Sequence, residues 1–158
     1  MDLILWRHAE AGDSLPDPVM DLERPLKPKG ERQARRVGDW LNQFLPDSVR
    51  VLTSPALRCV QTAATLGRRA KKMDVLAPGG GVEGLLAAAR WPDSREPVLV
   101  VGHQPTLGMV AAYLMAGDAA RFGEPWVIKK GSVWWLRHRP REDRAEVVIV
   151  AVRTAEGL

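Results

Sequence analysis

The chain contains a single cysteine, Cys59, among its 158 residues. One cysteine cannot form an internal disulfide, so the class of small secreted domains held together by disulfides is excluded. Such sparing use of cysteine is typical of proteins that fold in a reducing compartment, and we therefore expect a cytoplasmic location.

Long apolar runs are also missing. No segment approaches the roughly 20 apolar residues that a membrane-spanning helix needs, which predicts no membrane partner. The first residues do not have the pattern of a secretory signal, because Asp2 stands where a signal carries positive charge. The apolar run that follows, residues 3–6, ends at Arg7 and His8, so we expect no secretory leader.

Acidic residues are slightly outnumbered, with 19 Asp and Glu against 23 Lys and Arg and a formal net charge of +4. This surplus favours anionic partners, but charge alone does not predict nucleic-acid binding, and nucleic acid is not an expected partner. Apolar residues make up 46% of the chain and charged residues 27%, as is ordinary for a globular protein. We predict a single domain over residues 1–158, long enough to bury its own core.

Strand-like and helix-like segments alternate along most of the chain. The predicted strands cover 3–7, 49–53, 74–77 and 98–102, and the predicted helices cover 30–45, 54–70, 82–90 and 105–115. Residues 12–28, rich in Asp, Pro and Gly, are predicted to form a long loop. Two last strands, 132–138 and 145–152, are predicted to form an antiparallel hairpin. The pattern predicts an α/β three-layer sandwich with a mostly parallel sheet.

Three of the predicted strands end in residues suited to hold a phosphoryl group. Arg7 and His8 end the first strand; a neutral imidazole can attack phosphorus, and a guanidinium can bind two phosphate oxygens. Arg58 falls in the first turn of the helix after the second strand, where free N–H groups already favour anions. His103 directly follows the strand at 98–102. Ligands bind at the carboxyl ends of the strands in such sheets, so we expect these side chains to meet at one edge.

Each of these features also has a plain structural explanation. Arg7 and His8 could merely cap the sheet. Arg58 could pair with a carboxylate elsewhere, and His103 could be bonded by nearby backbone. A metal site built from His8, Glu10 and His103 is a further alternative, but the neighbouring guanidinium groups would repel a divalent cation, so no metal is expected.

The same segments resemble the signatures of the histidine phosphatase superfamily, which has the phosphoglycerate-mutase-like fold. Residues 5–11, Leu-Trp-Arg-His-Ala-Glu-Ala, are similar to its Arg-His-Gly signature. Three more motifs resemble those of the small SixA-type phosphohistidine phosphatases: Arg24-Pro25-Leu26 with Gly30, Ser54-Pro55 with Leu57-Arg58 and Gln61-Thr62, and Val101-Gly102-His103-Gln104-Pro105. The matching motifs span residues 3–115 in the family's order.

The resemblance implies a nucleophile and a phosphate pocket, and it implies no metal or organic cofactor. His8 would be the residue that becomes phosphorylated. Arg7, Arg58 and His103 would line the pocket and hold the phosphoryl group, or phosphate or sulfate in its place. Arg24 would bind substrate near the mouth of the pocket.

The chain departs from the family's pattern in two places. Ala9 stands where the signature has glycine. The general acid that the mutases carry after their third strand has no clear counterpart; Glu83 is the candidate, and the three glycines at 79–81 leave its placement open. An alcohol leaving group needs a proton donor, whereas a protonated phosphoimidazole can leave as neutral imidazole, so a missing acid favours a P–N substrate.

The expected function is therefore removal of phosphoryl groups from histidine on a protein, through a covalent phosphohistidine intermediate. The expected partner is a phosphorylated protein. Two alternatives stay open: a phosphatase of the same fold that acts on small phosphoesters, and a module without catalysis that binds phosphate or other anions.

Overall fold

The computed structural model describes residues 1–120 and 123–158 and places six strands of this part of the chain in one sheet. In chain order the strands are β1 (Asp2–Arg7), β2 (Arg50–Thr53), β3 (Ala70–Lys72), β4 (Val98–Gly102), β5 (Val133–Pro140) and β6 (Ala145–Arg153). Across the sheet they run β3-β2-β4-β1-β5-β6. The first four strands in this order, from β3 to β1, are parallel to one another. Strands β5 and β6 form an antiparallel hairpin, and β5 pairs with β1. The predicted mostly parallel sheet with a C-terminal hairpin is confirmed.

Helices cover both faces of the sheet. They are α1 (Pro18–Leu22), α2 (Pro28–Asn42), α3 (Leu57–Ala64), α4 (Val82–Ala89) and α5 (Thr106–Ala116). Successive side chains of a strand point to opposite faces, so Ile4 and Trp6 pack with α2 and α3, while Leu3 and Leu5 pack with α4 and α5. All four side chains are fully buried. This alternation produces the three layers that the sequence predicts.

The start of α2 packs tightly against the loop that follows β1. Proline at the first helical position is preorganised for the helix, and Ala34, Val37 and Leu41 form its buried face. A Cβ on Gly30 would lie 2.0 Å from the backbone oxygen of Glu10, so only glycine permits this close approach. The loop after β1 is thereby held in place from one side.

The predictions around β3 are wrong. The helix after β2 begins at Leu57 rather than at Pro55 with Ser54 as its N-cap, because the Ser54 hydroxyl accepts a bond from the Ala56 amide and closes a turn before the helix. That helix ends at Ala64 rather than near residue 70. Residues 70–72 form β3, and the predicted strand at 74–77 is a 3₁₀ turn. An edge strand of three residues with two exposed lysines has no apolar alternation by which to recognise it.

The predicted loop at 12–28 contains a short helix, α1. Asp17 caps it by accepting bonds from the amides of Val19 and Met20, at 2.9 and 3.2 Å. An aspartate followed by proline is a helix-start signal that could have located α1. No helix in the described ranges has both the length and the apolar character needed to cross a bilayer.

Candidate active site

The carboxyl ends of β1, β4 and β2 meet at one edge of the sheet. Arg7 pairs with Gly102 in the parallel register, so His8 and His103 are the next residues of neighbouring strands. Their ring centroids lie 5.4 Å apart. Ser54 follows β2 and donates its amide to the Val101 oxygen at 3.0 Å. The structure thus brings together the strand ends that the sequence singles out.

His8 is buried, and one hydrogen bond decides which of its ring nitrogens carries the proton. Its Nδ1 lies 2.8 Å from the backbone oxygen of Ala9. A carbonyl oxygen can only accept, so we assign the proton to Nδ1 and the free lone pair to Nε2. Burial, together with the nearby charges of Arg58 and Arg7, lowers the pKa of His8 to about 4. The ring is therefore neutral at neutral pH, with Nε2 free to attack an electrophile.

His103 is also buried and neutral. Its Nε2 lies 2.7 Å from the Ser54 hydroxyl and 3.5 Å from Cys59 Sγ. Burial, followed by the charges of His8 and Arg58, lowers the pKa of His103 to about 3. Burial raises the pKa of the Cys59 thiol to about 12, so Cys59 remains an unreactive thiol that packs in the core.

Arg7 is oriented by the segment that leads into β5. Its Nη1 donates to the Ile128 oxygen at 2.8 Å, and its Nε finds no partner among the described residues. The Gly131 amide in turn donates to the backbone oxygens of Arg7 and His8, at 3.1 and 3.0 Å. The Arg7–His8 pair is therefore held in place by residues 128–131, which lead into β5.

Asp21 lies in the last turn of α1 and binds two arginines at the mouth of the site. Arg58 Nη1 donates to the Asp21 backbone oxygen at 2.7 Å, and Nη2 donates to its carboxylate at 3.2 Å. Arg24 Nε donates to the same carboxylate at 3.1 Å. The hydrogen bond that the Leu15 amide donates to the Asp21 side chain, together with these two guanidinium groups, keeps the pKa of Asp21 below its ordinary value. Asp21 is therefore a carboxylate at neutral pH.

These residues line a cavity of about 290 Å³. Its walls are formed by Arg7, His8, Gly12, Asp13, Ser14, Asp21, Arg24, Arg58, Pro78, His103, Gln104 and Lys130. The three arginines and one lysine outnumber the two aspartates, which suits an anion with more than one negative charge. All five residues predicted for the phosphate pocket and its mouth lie in this lining.

The structure does not bring Glu83 into the cavity lining. Glu83 is an exposed residue in the first turn of α4. The carboxylates that do line the cavity, Asp13 and Asp21, were missed by the sequence analysis, as was Lys130. Asp21 could have been found from the capping signal of α1, whereas residues 128–131 reach the site only through tertiary packing.

Three comparisons place the chain among known proteins. Residues 3–77 match the model of the histidine phosphatase superfamily, branch 1. The phosphohistidine phosphatase SixA of Escherichia coli (strain K12) is 33% identical over 127 residues, which cover 75% of this chain and 76% of that protein.

Solved structures have the same fold over nearly the whole chain. A structure described as a SixA phosphohistidine phosphatase from Nakamurella multipartitia has a TM-score of 0.73 and 30% identity, covering 96% of this chain and 94% of its own. A SixA protein histidine phosphatase in complex with tungstate has a TM-score of 0.74 and 24% identity, covering 99% of both chains. At that identity the second likeness supports the fold alone.

Proposed function

The chain belongs to the histidine phosphatase superfamily, in its SixA-like branch, and from that premise we propose that it hydrolyses phosphohistidine on proteins through a covalent intermediate on His8. Membership makes the protein a phosphatase; the substrate and the intermediate are the proposal. The observation that carries it is the neutral His8 ring, with Nδ1 bonded to Ala9 and Nε2 free, among three guanidinium groups.

The proposed reaction has two displacements. In the first, His8 Nε2 forms a bond to phosphorus while the bond from phosphorus to the substrate imidazole breaks. The substrate ring, protonated on its other nitrogen, departs as neutral imidazole. In the second, water attacks phosphorus and the bond to Nε2 breaks, which restores neutral His8 and releases inorganic phosphate carrying the oxygen and both protons of the water.

The role proposed for Arg7, Arg58 and His103 is to hold the three oxygens of the phosphoryl group as it moves. Positive groups and hydrogen-bond donors placed where negative charge accumulates stabilise the transition state more than the bound substrate. Arg58 must then exchange its bond to the Asp21 carboxylate for a bond to a phosphoryl oxygen, while its bond to the Asp21 backbone oxygen can persist.

The carboxylates in the cavity favour a P–N bond over an alkyl phosphoester. The pKa of Asp21 is lowered, so at neutral pH it holds no proton to give to a departing alkoxide. A negative carboxylate would also repel a developing alkoxide, whereas it is compatible with a protonated imidazole. A phosphoramidate substrate therefore fits this cavity better than a sugar phosphate.

A comparison of four substrates tests the proposal: a phosphohistidine peptide, phosphoramidate, an aryl phosphate and glycerol phosphate. We expect the first three to be hydrolysed faster than glycerol phosphate, by about 10²- to 10⁴-fold, the usual worth of a general acid. Glu83→Gln should change the phosphohistidine rate little.

If glycerol phosphate turns over as fast as phosphohistidine, and Glu83→Gln selectively slows it, a small-phosphoester phosphatase is the better conclusion. If phosphate binds but none of the four substrates is hydrolysed, the module without catalysis is the better conclusion.

A further inference from the structure

Four basic side chains on the exposed side of α2 make no hydrogen bond or ion pair with any described residue. They are Lys29, Arg32, Arg35 and Arg36, and all are exposed. Some arginines outside α2 are held by neighbours: Arg68 bonds the Asn42 side chain and two carbonyls, and Arg137 bonds Asp2. We call the four side chains the α2 basic face.

The α2 basic face costs the helix some stability. Arg32 and Arg36 are four residues apart and Lys29 and Arg32 are three apart, spacings at which like charges lie side by side and repel. Lys29 also lies in the first turn of α2, where the helix dipole favours acidic side chains. Glu31 and Asp39 each lie four residues from Arg35 and offset part of this repulsion. Lys29 and Arg32 have no acidic residue of α2 at these spacings, so an anionic partner would compensate them.

The start of α2, which carries Lys29 and Arg32, adjoins the rim of the active-site cavity. The Glu10 amide donates to the Gln33 side chain at 3.1 Å, and the Lys27 amide donates to the Glu10 oxygen at 2.9 Å. The Glu10 carboxylate bonds Lys130, a residue of the cavity lining, at 3.0 Å. The start of α2 is therefore close enough to the cavity to contact a macromolecule whose phosphoryl group enters it.

A shallow depression on the α2 basic face could receive acidic side chains. It has a volume of about 120 Å³ and is lined by Lys29, Arg32, Gln33, Arg36, Ala155 and Glu156. Three of these six residues are cations without an ion-pair partner among the described residues, against one acid. Their charge matches Asp or Glu side chains presented by a neighbouring protein surface.

We propose that the α2 basic face docks an acidic surface of the phosphorylated protein substrate, which rests on the function proposed above. A protein fits better than a nucleic acid, because Glu31, Asp39 and Glu156 are interspersed among the cations. A protein can match such mixed charge with basic residues of its own. A continuous phosphate backbone would be repelled at each of the three acids.

Two synthetic peptides provide the test. Each contains one histidine, phosphorylated chemically with phosphoramidate; one has Asp and Glu around it, the other Ser and Gly. The variant Arg32→Glu with Arg36→Glu reverses two charges of the face. Arg69→Glu with Arg95→Glu is the matched control, because both arginines are exposed and lie before β3 and β4, at the opposite edge of the sheet.

We expect the α2 variant to raise KM for the acidic phosphopeptide about tenfold with little change in kcat. A tenfold change is the size expected when two exposed charge pairs are lost and replaced by like-charge repulsion. The Ser/Gly phosphopeptide and free phosphoramidate should turn over at nearly the wild-type rate. The control variant should leave all three substrates nearly unchanged. Raising the salt concentration should remove the advantage of the acidic peptide in the wild type.

Equal losses in the two variants would overturn the proposal, since net charge alone would then explain them. An unchanged KM in the α2 variant would overturn it as well, and so would a single-stranded oligonucleotide that binds this face more tightly than the acidic peptide. Binding of the unphosphorylated acidic peptide, followed by fluorescence anisotropy, tests docking separately from turnover. If the acidic peptide binds through Arg32 and Arg36 but neither phosphopeptide is hydrolysed, docking stands and the proposed function fails.

Discussion

At the scale of single residues, the proposed chemistry depends on the neutral ring of His8. Replacing His8 with Asn removes the nucleophile but keeps a side chain that can donate to the Ala9 oxygen, so we expect the fold to survive. Turnover of phosphoramidate should fall on the order of 10⁴-fold or more, the scale of removing a catalytic nucleophile. Steady-state kinetics measure the loss, and circular dichroism checks the fold.

His138 provides a matched control for that substitution. It lies in β5, outside the cavity, and packs edge-on against Trp91 with ring centroids 5.5 Å apart. His138→Asn should keep near-wild-type turnover, and an acid-labile phosphoryl adduct should be trapped on the wild type but not on His8→Asn. Near-wild-type rates for His8→Asn would remove His8 from the mechanism.

Asp21 has two opposing effects on phosphate binding, and the geometry indicates which is larger. Its carboxylate orients Arg58 but also competes with phosphate for it. The Asp21 backbone oxygen, which holds Arg58 at 2.7 Å, is unaffected by Asp21→Asn, so most of the orientation survives while the competing charge is lost. We expect the inhibition constant of inorganic phosphate to fall by about three- to tenfold, as for loss of one repulsive charge near the ligand.

The matched control is Asp13→Asn, which removes the same charge from the cavity lining without touching a bond to Arg58. Its effect on phosphate inhibition should be smaller than that of Asp21→Asn. If Asp21→Asn weakens phosphate binding instead, the carboxylate acts mainly as a positioning group for Arg58.

At the scale of elements, the strands buried on both faces are the ones that the sequence predicts most clearly. β1 and β4 are central strands buried on both faces, and their continuous apolar runs identified them and the histidines that follow. β3, at the edge of the sheet, has no such run, and α1 is a five-residue helix with no buried residue. The positions of Arg7, His8 and His103 could therefore be predicted from the pattern, because these residues end or follow central strands, whereas Arg24, which lies after α1, is expected only from the family resemblance. Asp21 depends on α1 and could not be placed in the same way.

The packing of α5 against residues 126–131 positions part of the site. A Cβ on Gly108 would lie 1.7 Å from the backbone oxygen of Trp126, so Gly108→Ala must push this segment away. The segment bonds Arg7 through Ile128. We expect the free energy of unfolding to fall by about 3 kcal/mol, the upper range for overpacking, and phosphoramidate turnover to fall as well.

Gly81→Ala is the control for that substitution, because a Cβ on Gly81 would meet open space and its φ of −98° suits any residue. Its unfolding free energy and turnover should stay near those of the wild type. Equal stability of the two alanine variants, measured by urea unfolding, would mean that α5 and residues 126–131 can separate without cost.

At the scale of the whole molecule, the site is assembled from segments far apart in the chain. His8 and His103 directly follow two strands, Arg58 lies in the first turn of α3, and Lys130 comes from a segment that packs beside them. Folding therefore gathers two imidazoles and several guanidinium groups in a buried place where an added positive charge is unfavourable. The pKa values of both histidines are lowered as a result, and the stability of the whole fold becomes dependent on pH.

The direction of this dependence follows from proton binding. Below an ordinary pKa of 6.5 the unfolded chain protonates both rings, whereas the folded protein resists until about pH 4 for His8 and about pH 3 for His103. Protonation thus favours the unfolded chain, and the free energy of unfolding falls as the pH drops from 6.5 toward 4. Between pH 7 and pH 5 we expect a loss on the order of 1–2 kcal/mol for each histidine.

Urea unfolding at pH 7, 6 and 5 measures this loss. Three carboxyl groups have lowered pKa values: Asp2, Glu10 and Asp21. Their contribution to the free energy of unfolding is lost mainly as the pH falls below about 4, so the interval down to pH 5 reports chiefly on the histidines. The double variant His8→Asn with His103→Asn should therefore have a much flatter profile over this interval than the wild type. A slope that persists in the double variant would mean that the two rings are protonated as easily in the fold as in the unfolded chain, and His8 would then not be held neutral for attack in mildly acidic solution.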